Sequence, residues 1–225
     1  MARRDIVVVG ASAGGVQALT ALVRGLPLDL GAALLVVLHL PAKCKSALPQ
    51  ILSSAGLLPA RHGRNGEAIH RNRIYVARPD HHLLVHDGHL RVVRGPRENG
   101  HRPGIDPLFR TAAESFGPRV IGVVLSGALY DGTAGLVSIK SQGGLAVVQD
   151  PSDAMVDAMP RSALENVDTD YVVPAGRMGK LLQQLVSRSE FRFEERAGRA
   201  DSHARTPGGA LRVGASRIHD VDWAG

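Results

Sequence analysis

The sequence holds one cysteine, Cys44, among 225 residues. No intrachain disulfide can staple it, which fits a reducing, cytoplasmic setting. The flanks Ala42-Lys43-Cys44-Lys45 form no nucleophile turn, so Cys44 is read as a bystander thiol. Aromatic residues make up only 4% of the chain, too few for the base-stacking platforms that hold single-stranded nucleic acid. No apolar run approaches the ~20 residues needed to span a bilayer. Met1–Asp5 leads into only four apolar residues before Gly10, too short for a secretory leader. The expectation is a cytoplasmic protein without membrane insertion. Internal repeats are also lacking.

Lysine is scarce, at positions 43, 45, 140 and 180 only, so the net charge of +6 rests on arginine. Nine arginines fall between Arg61 and Arg102, against four acids in the same stretch. Such a face attracts an anionic partner, an acidic protein surface or nucleic acid, or is simply solvated. Nucleic acid is the disfavoured partner, given the shortage of aromatics.

What is present is a series of short, continuous apolar runs: 6–9, 32–38, 120–125, 145–148 and 171–173. Continuous rather than alternating runs fit strands buried on both faces. Between them lie helix-like stretches at 15–24, 46–54, 106–116, 133–142, 160–166 and 175–187. In the 106–116 helix, Asp106-Pro107 reads as an N-cap followed by proline in the first turn. Alternation of this kind predicts an α/β fold, a mainly parallel doubly wound sheet in a Rossmann-like three-layer arrangement. One region, 61–97, breaks the rhythm. Short strands at 73–77, 82–86 and 89–93, the last two joined by Asp87-Gly88, predict a small antiparallel hairpin excursion. Hydrophobic residues at 44% support one domain, 1–187. Residues 188–225 show no sustained period and are expected to be a flexible tail.

Ligands of parallel α/β sheets bind outside the C-terminal ends of the strands. The polar residues expected there are Ser12, in the Gly10-Ala11-Ser12-Ala13-Gly14 turn, His39, and Ser126 to Asp131. Serine, histidine and aspartate are the parts of a nucleophile, a general base and the group that orients the base. Backbone N–H groups of the helix that starts near Gly14 suit a developing oxyanion. The chain order Ser12, His39, Asp131 differs from the Ser…Asp/Glu…His order of the common α/β-hydrolases and argues against that scaffold. The rival reading of the turn is a dinucleotide site. It wants glycine where Ser12 stands and an acid where His39 stands. No cofactor is therefore expected, although a phosphate at the Gly14 helix start stays open.

Five segments in order resemble the chemotaxis protein-glutamate methylesterases (CheB-type). They are Gly10-Ala11-Ser12-Ala13-Gly14-Gly15, His39-Leu40-Pro41, His101-Arg102-Pro103-Gly104-Ile105-Asp106-Pro107-Leu108-Phe109, Leu125-Ser126-Gly127-Ala128-Leu129-Tyr130-Asp131-Gly132, and Met159-Pro160-Arg161-Ser162-Ala163. The likeness runs from about Asp5 to Leu185. It implies Ser12 as nucleophile, His39 as base and Asp131 as orienting acid. The amides of Ala13 and Ala128 become the oxyanion and substrate-binding candidates. The implied activity is hydrolysis of glutamate γ-methyl esters, and deamidation of glutamines, on the methylated cytoplasmic helices of chemoreceptors. That partner is an acidic helical surface. Three departures stand out. Ala13 replaces threonine, Ala128-Leu129 replaces Met-Gly, and no receiver domain precedes Asp5, so phosphorylation control is expected to be lost or supplied by a partner. If the replaced glycine held a positive φ, Leu129 is expected to bend the loop differently.

His81, His82, His86 and His89 have spacings that tempt a metal reading, but a hairpin splits them over two faces. They are read as surface histidines, and no metal is expected. His101 has no catalytic case from the residues alone, and His62, His70, His203 and His219 no visible partner. Asp106 is read as a cap, Asp150 and Asp153 as runners-up to Asp131, and Met155 and Met159 as packing or rim. Trp223 belongs to the expected tail. A monomer is expected. The alternatives to the methylesterase are a non-catalytic chemosensory binding module and an esterase or amidase on a non-receptor substrate.

Overall fold

The computed structural model describes residues 3–43 and 45–199, with side chains as far as Ser187. Seven strands form one wholly parallel sheet: β1 (Ile6–Ala11), β2 (Ala33–Leu38), β3 (Ala60–His62), β4 (Arg73–Val76), β7 (Val120–Val124), β8 (Leu145–Gln149) and β9 (Tyr171–Val173). Their spatial order is β3-β4-β2-β1-β7-β8-β9. Two more strands, β5 (His82–His86) and β6 (His89–Val93), pair antiparallel as a separate hairpin. Among the described residues, six α-helices cover the sheet: α1 (Gly15–Arg24), α2 (Leu48–Ala55), α3 (Ile105–Phe116), α4 (Thr133–Ser141), α5 (Ala158–Asn166) and α6 (Ala175–Arg199).

The continuous apolar runs are explained by burial on both faces. Val7, Val9, Leu34, Val36, Ile121 and Val123 pack with α1, α2 and α6. Val8, Leu35, Val37, Val120, Val124 and Val148 pack with α3, α4, α5 and the hairpin. Successive side chains alternate across a strand, so a sheet with two covered faces needs an apolar residue at every position.

The expected α/β architecture is present, and several details differ. The 73–77 strand is not part of the antiparallel excursion. It is β4, paired parallel with β2, and it carries the unpredicted β3 at the sheet edge. Ala60–His62 is too short for an apolar run to announce it. Asp106 does not cap its own helix: α3 starts one residue earlier, with Gly104 as N-cap. His82 is not a surface residue but is 3% exposed. Its Nε2–H donates to Pro96 O (2.7 Å) and its Nδ1 accepts from Gly104 N (3.1 Å). The helix α6 also continues to Arg199, into the segment expected as tail. Cys44, His203, His219 and Trp223, for which expectations were given above, lie outside the described residues. Among the described residues no helix is long and apolar enough to cross a membrane.

The arginine-rich stretch is not a single unpaired face. Arg94 and Arg102 share Asp80, Arg61 pairs with Glu67, and Arg71 joins Arg119 around buried Asp5. That last cluster lies at the N-terminal edge of the sheet, away from the strand ends that carry Ser12 and His39.

Helix α6 lies close enough to α1 that a methyl group at Gly179 would come 2.6 Å from the Leu22 carbonyl oxygen, while one at exposed Gly176 would meet nothing within 4 Å. Gly179→Ala should therefore destabilise the fold by about 1–3 kcal/mol. Gly176→Ala should stabilise it by up to ~1 kcal/mol through helix propensity. Urea unfolding of the two variants beside the parent checks both signs.

Candidate active site

Chain order sets the position of the site. From β1 the sheet grows one way through β2 and β4 and the other way through β7 and β8. The C-terminal end of β1 is thus a topological switch point, where a crevice opens. Ser12 follows β1 and His39 follows β2. The paired residues Ala11 and Leu38 end those strands side by side, and His39 N donates to Ala11 O at 3.1 Å. Asp131 arrives on the loop after β7.

The turn holding Ser12 is pinned from both ends by Ser126. Ser12 N donates to Ser126 O (3.0 Å), and Ser126 Oγ donates to Ala13 O (2.7 Å) and accepts from Val156 N (3.0 Å). Ser126 N donates in turn to Gln149 Oε1 at 2.8 Å. Gly14 takes φ 75°, and a Cβ there would come 2.6 Å from Ser126 Oγ. Gly127 is equally constrained, because a Cβ would stand 2.8 Å from Ser12 Cβ and run into Met159. The glycines around Ser12 thus leave room for the serine as well as for the bend. Because Ser12 N is taken by Ser126, it is not a free donor. No backbone or side-chain acceptor takes up the amides of Ala13 and Ala128 among the described residues.

His39 Nε2 meets Asp131 Oδ2 at 2.8 Å, with the two side chains 6% and 1% exposed. His39 Nδ1 is buried without a hydrogen-bond partner among the described residues. With the carboxylate on Nε2, the proton is assigned to Nε2 and the lone pair to Nδ1. Ser12 Oγ makes no hydrogen bond to the ring here. Asp131 has three further donors: Ile105 N to Oδ2 (2.8 Å), and Asp106 N (3.1 Å) and Asn99 Nδ2 (2.9 Å) to Oδ1. Burial by itself would raise this carboxyl. The hydrogen bonds from His39, Ile105 and Asn99 outweigh it and bring Asp131 down to about 2.

Asp106 is the mirror case. Its Oδ1 accepts from Gly132 N (3.0 Å) and Gly135 N (2.7 Å), and its Oδ2 from Asn99 Nδ2 (2.7 Å). Burial and the neighbouring Asp131 charge push its carboxyl above the usual range. It is a cap after all, but of α4. The two runners-up are elsewhere. Asp153 takes Gln149 Nε2 and Ala175 N, both at 2.8 Å, and Asp150 binds Ser152.

The rim is apolar and open: Leu129, Tyr130 and Met155 are 61%, 55% and 66% exposed. Leu129 holds φ 64°, the left-handed conformation that a glycine takes without penalty. Met159, by contrast, is fully buried. Residues 95–102 bring Asn99 and His101 onto the His39–Asp131 pair, which the sequence reading did not foresee. The Asn99-Gly100 dipeptide, with φ 49° and 79°, is the turn signal that marks the spot.

Comparisons with known proteins place the chain in a family. A family model described as CheB methylesterase matches residues 7–182. A Leptospira interrogans relative named for protein-glutamate methylesterase and protein-glutamine glutaminase activity is 38% identical over 182 residues, 80% of this chain and 94% of its own length. A protein-glutamate methylesterase/protein-glutamine glutaminase of Anaeromyxobacter dehalogenans is 36% identical over 82% of this chain, and one of Pyrococcus horikoshii 33% over 81%. The chain spans about half the length of these last two, 54% and 51%. The crystal structure of the Thermotoga maritima CheB methylesterase catalytic domain superposes with a TM-score of 0.77 at 32% identity, over 81% of this chain and 98% of that one.

Two expectations follow from the geometry. Asp131 is depressed in the folded state, so its stabilising contribution, roughly 2 kcal/mol, is complete above about pH 4 and lost as pH falls towards 2. Asp131→Asn should lower the urea midpoint most near pH 7 and least near pH 2–3. Leu129→Gly should raise stability by about 1 kcal/mol by relieving the left-handed backbone, read as a higher thermal midpoint.

Proposed function

Since the chain belongs to the CheB methylesterase family, we propose that it is a serine hydrolase acting on glutamate γ-methyl esters of chemoreceptors, and on receptor glutamines. The carrying observation is the 2.8 Å contact between His39 Nε2 and Asp131, beside the Ser12 turn, which leaves buried His39 Nδ1 free to accept a proton. A serine hydroxyl is too weak an acid to attack unaided, and a neutral imidazole held in one tautomer supplies the base.

Ser12 Oγ attacks the ester carbonyl and passes its proton to His39 Nδ1. Asp131, ionised at working pH, stabilises the imidazolium through Nε2–H. The amides of Ala13 and Ala128 accommodate the oxyanion. The tetrahedral intermediate collapses, the C–OCH₃ bond breaks, and His39 returns the proton so that methanol leaves. A water then gives its proton to His39 and adds to the acyl-Ser12. Collapse frees the glutamate γ-carboxylate and restores the serine. With glutamine, ammonia leaves in place of methanol. The catalytic unit is residues 1–187, and the partner is a methylated receptor helix on the cytoplasmic side. Such a helix is acidic and suits the arginines of this chain, and the exposed Leu129, Tyr130 and Met155 offer it apolar contact.

Ser12→Ala should cut methanol release from methylated receptor by at least about 10³-fold, leaving residual catalysis from the rest of the site. Unchanged turnover in that variant would remove Ser12 from the mechanism. Binding of receptor without methanol release by the parent protein would instead favour a non-catalytic module.

A further inference from the structure

The ring of His101 lies flat on the ring of His39, with centroids 3.6 Å apart and planes 9° from parallel. That contact is built by the segment 95–102. His101 and Glu98 exchange two backbone hydrogen bonds, 3.1 and 2.8 Å. Arg102 ties the segment to Asp80 (2.6 and 2.9 Å) and closes it on itself at Gly95 O (2.6 Å). Asn99 ties it to Asp106 and Asp131. The same short loop therefore reaches the base twice: at its edge through Asn99 and Asp131, and at its face through His101.

A carboxylate on Nε2 holds one edge of an imidazole, yet the ring can still rock about that hydrogen bond. Rocking swings Nδ1, the atom that must meet the serine proton. A second flat ring at contact distance takes that freedom away and keeps water off the face. We infer that His101 is a positioning residue that clamps the His39 ring in its proton-accepting orientation, and that it does so as a neutral ring. This rests on the reading of His39 as the base.

The charges around His101 support its neutrality. It faces His39 from the end of β2 and Asp131 from the loop before α4, with Arg97 on its own segment. Glu98 beside it is paired with Arg110, and Asp106 is bound by Asn99. Burial first, then the neighbouring His39 and Arg97, hold His101 below the usual histidine range against the pull of Asp131. Two imidazolium rings stacked at this distance would repel. A cation at position 101 therefore opposes the proton that His39 must accept, whereas a neutral ring stacks on the imidazolium favourably.

Three substitutions separate these effects, with kcat and KM for methanol release measured across pH. His101→Ala should lower kcat by about 10- to 100-fold with KM within about twofold, because the clamp does not touch substrate. His101→Phe, flat and uncharged, should recover most of that loss. His101→Arg, flat but permanently charged, should stay at or below the Ala level and move the acid limb of kcat/KM to lower pH. Thermal midpoints show whether each variant is folded; should Ala fail to fold, the Phe and Arg variants carry the comparison. Native kcat in His101→Ala, or equal losses in folded Ala and Phe variants, would overturn the clamp while a dead Ser12→Ala left the triad standing. An active Ser12→Ala would take down the triad and this inference with it.

Discussion

Asp131 precedes α4, yet its carboxylate accepts the N–H groups of Ile105 and Asp106 at the start of α3. Asp106, inside α3, accepts those of Gly132 and Gly135 at the start of α4. Each helix begins at a glycine with no side chain to cap it, Gly104 and Gly132. The orphan amides of each are satisfied by a carboxylate from the other. This cross-capping locks two helices together, buries two acids side by side and fixes where Asp131 points. Asn99 makes the arrangement tolerable by giving one amide hydrogen to each acid. Like charges this close push their titrations apart. Asp131, with His39 among its donors, goes down and stays ionised, and Asp106 goes up.

The remaining parts of the site hang from that lock. One edge of the His39 ring is held because its Nε2 partner is itself fixed by three donors, and among the described residues Nδ1 has no hydrogen-bond partner. His82 holds Gly104 from behind, so the capped end of α3 is itself supported. On the other side, Ser126 and Gln149 pin the Ser12 turn to the ends of β7 and β8. Two constellations, one carrying Ser12 and one His39, thus meet at the switch point of the sheet. The rim that includes Leu129, Tyr130 and Met155 stays exposed above them.

Much of this was legible from local chemistry. Ile6–Gly15 reads as strand, glycine turn and helix because apolar run and turn residues agree. The five ordered motifs placed Ser12, His39 and Asp131. Asn99 was not legible as a site residue, since a turn Asn-Gly looks the same whether its amide faces water or two buried acids. His101 was noticed only as part of a motif, because ring stacking has no sequence signature. Asp106 misled for a physical reason: an aspartate before a proline at a helix start is a good local cap, and nothing local shows that its carboxylate turns to a different helix. Leu129 falls between. A positive φ was foreseen as a hazard, and the backbone adopts it with leucine in place.

The residues alone decide that this chain is an α/β sheet protein with a serine turn at the end of its first strand, because propensity, periodicity and turn chemistry act over a few neighbours. Pairing Asp131 with His39 across 92 residues, exchanging caps between α3 and α4, and laying His101 on the His39 ring are decided by tertiary structure. These depend on which strand ends and helix starts the sheet order brings together, and on burial that makes every polar group there find a partner.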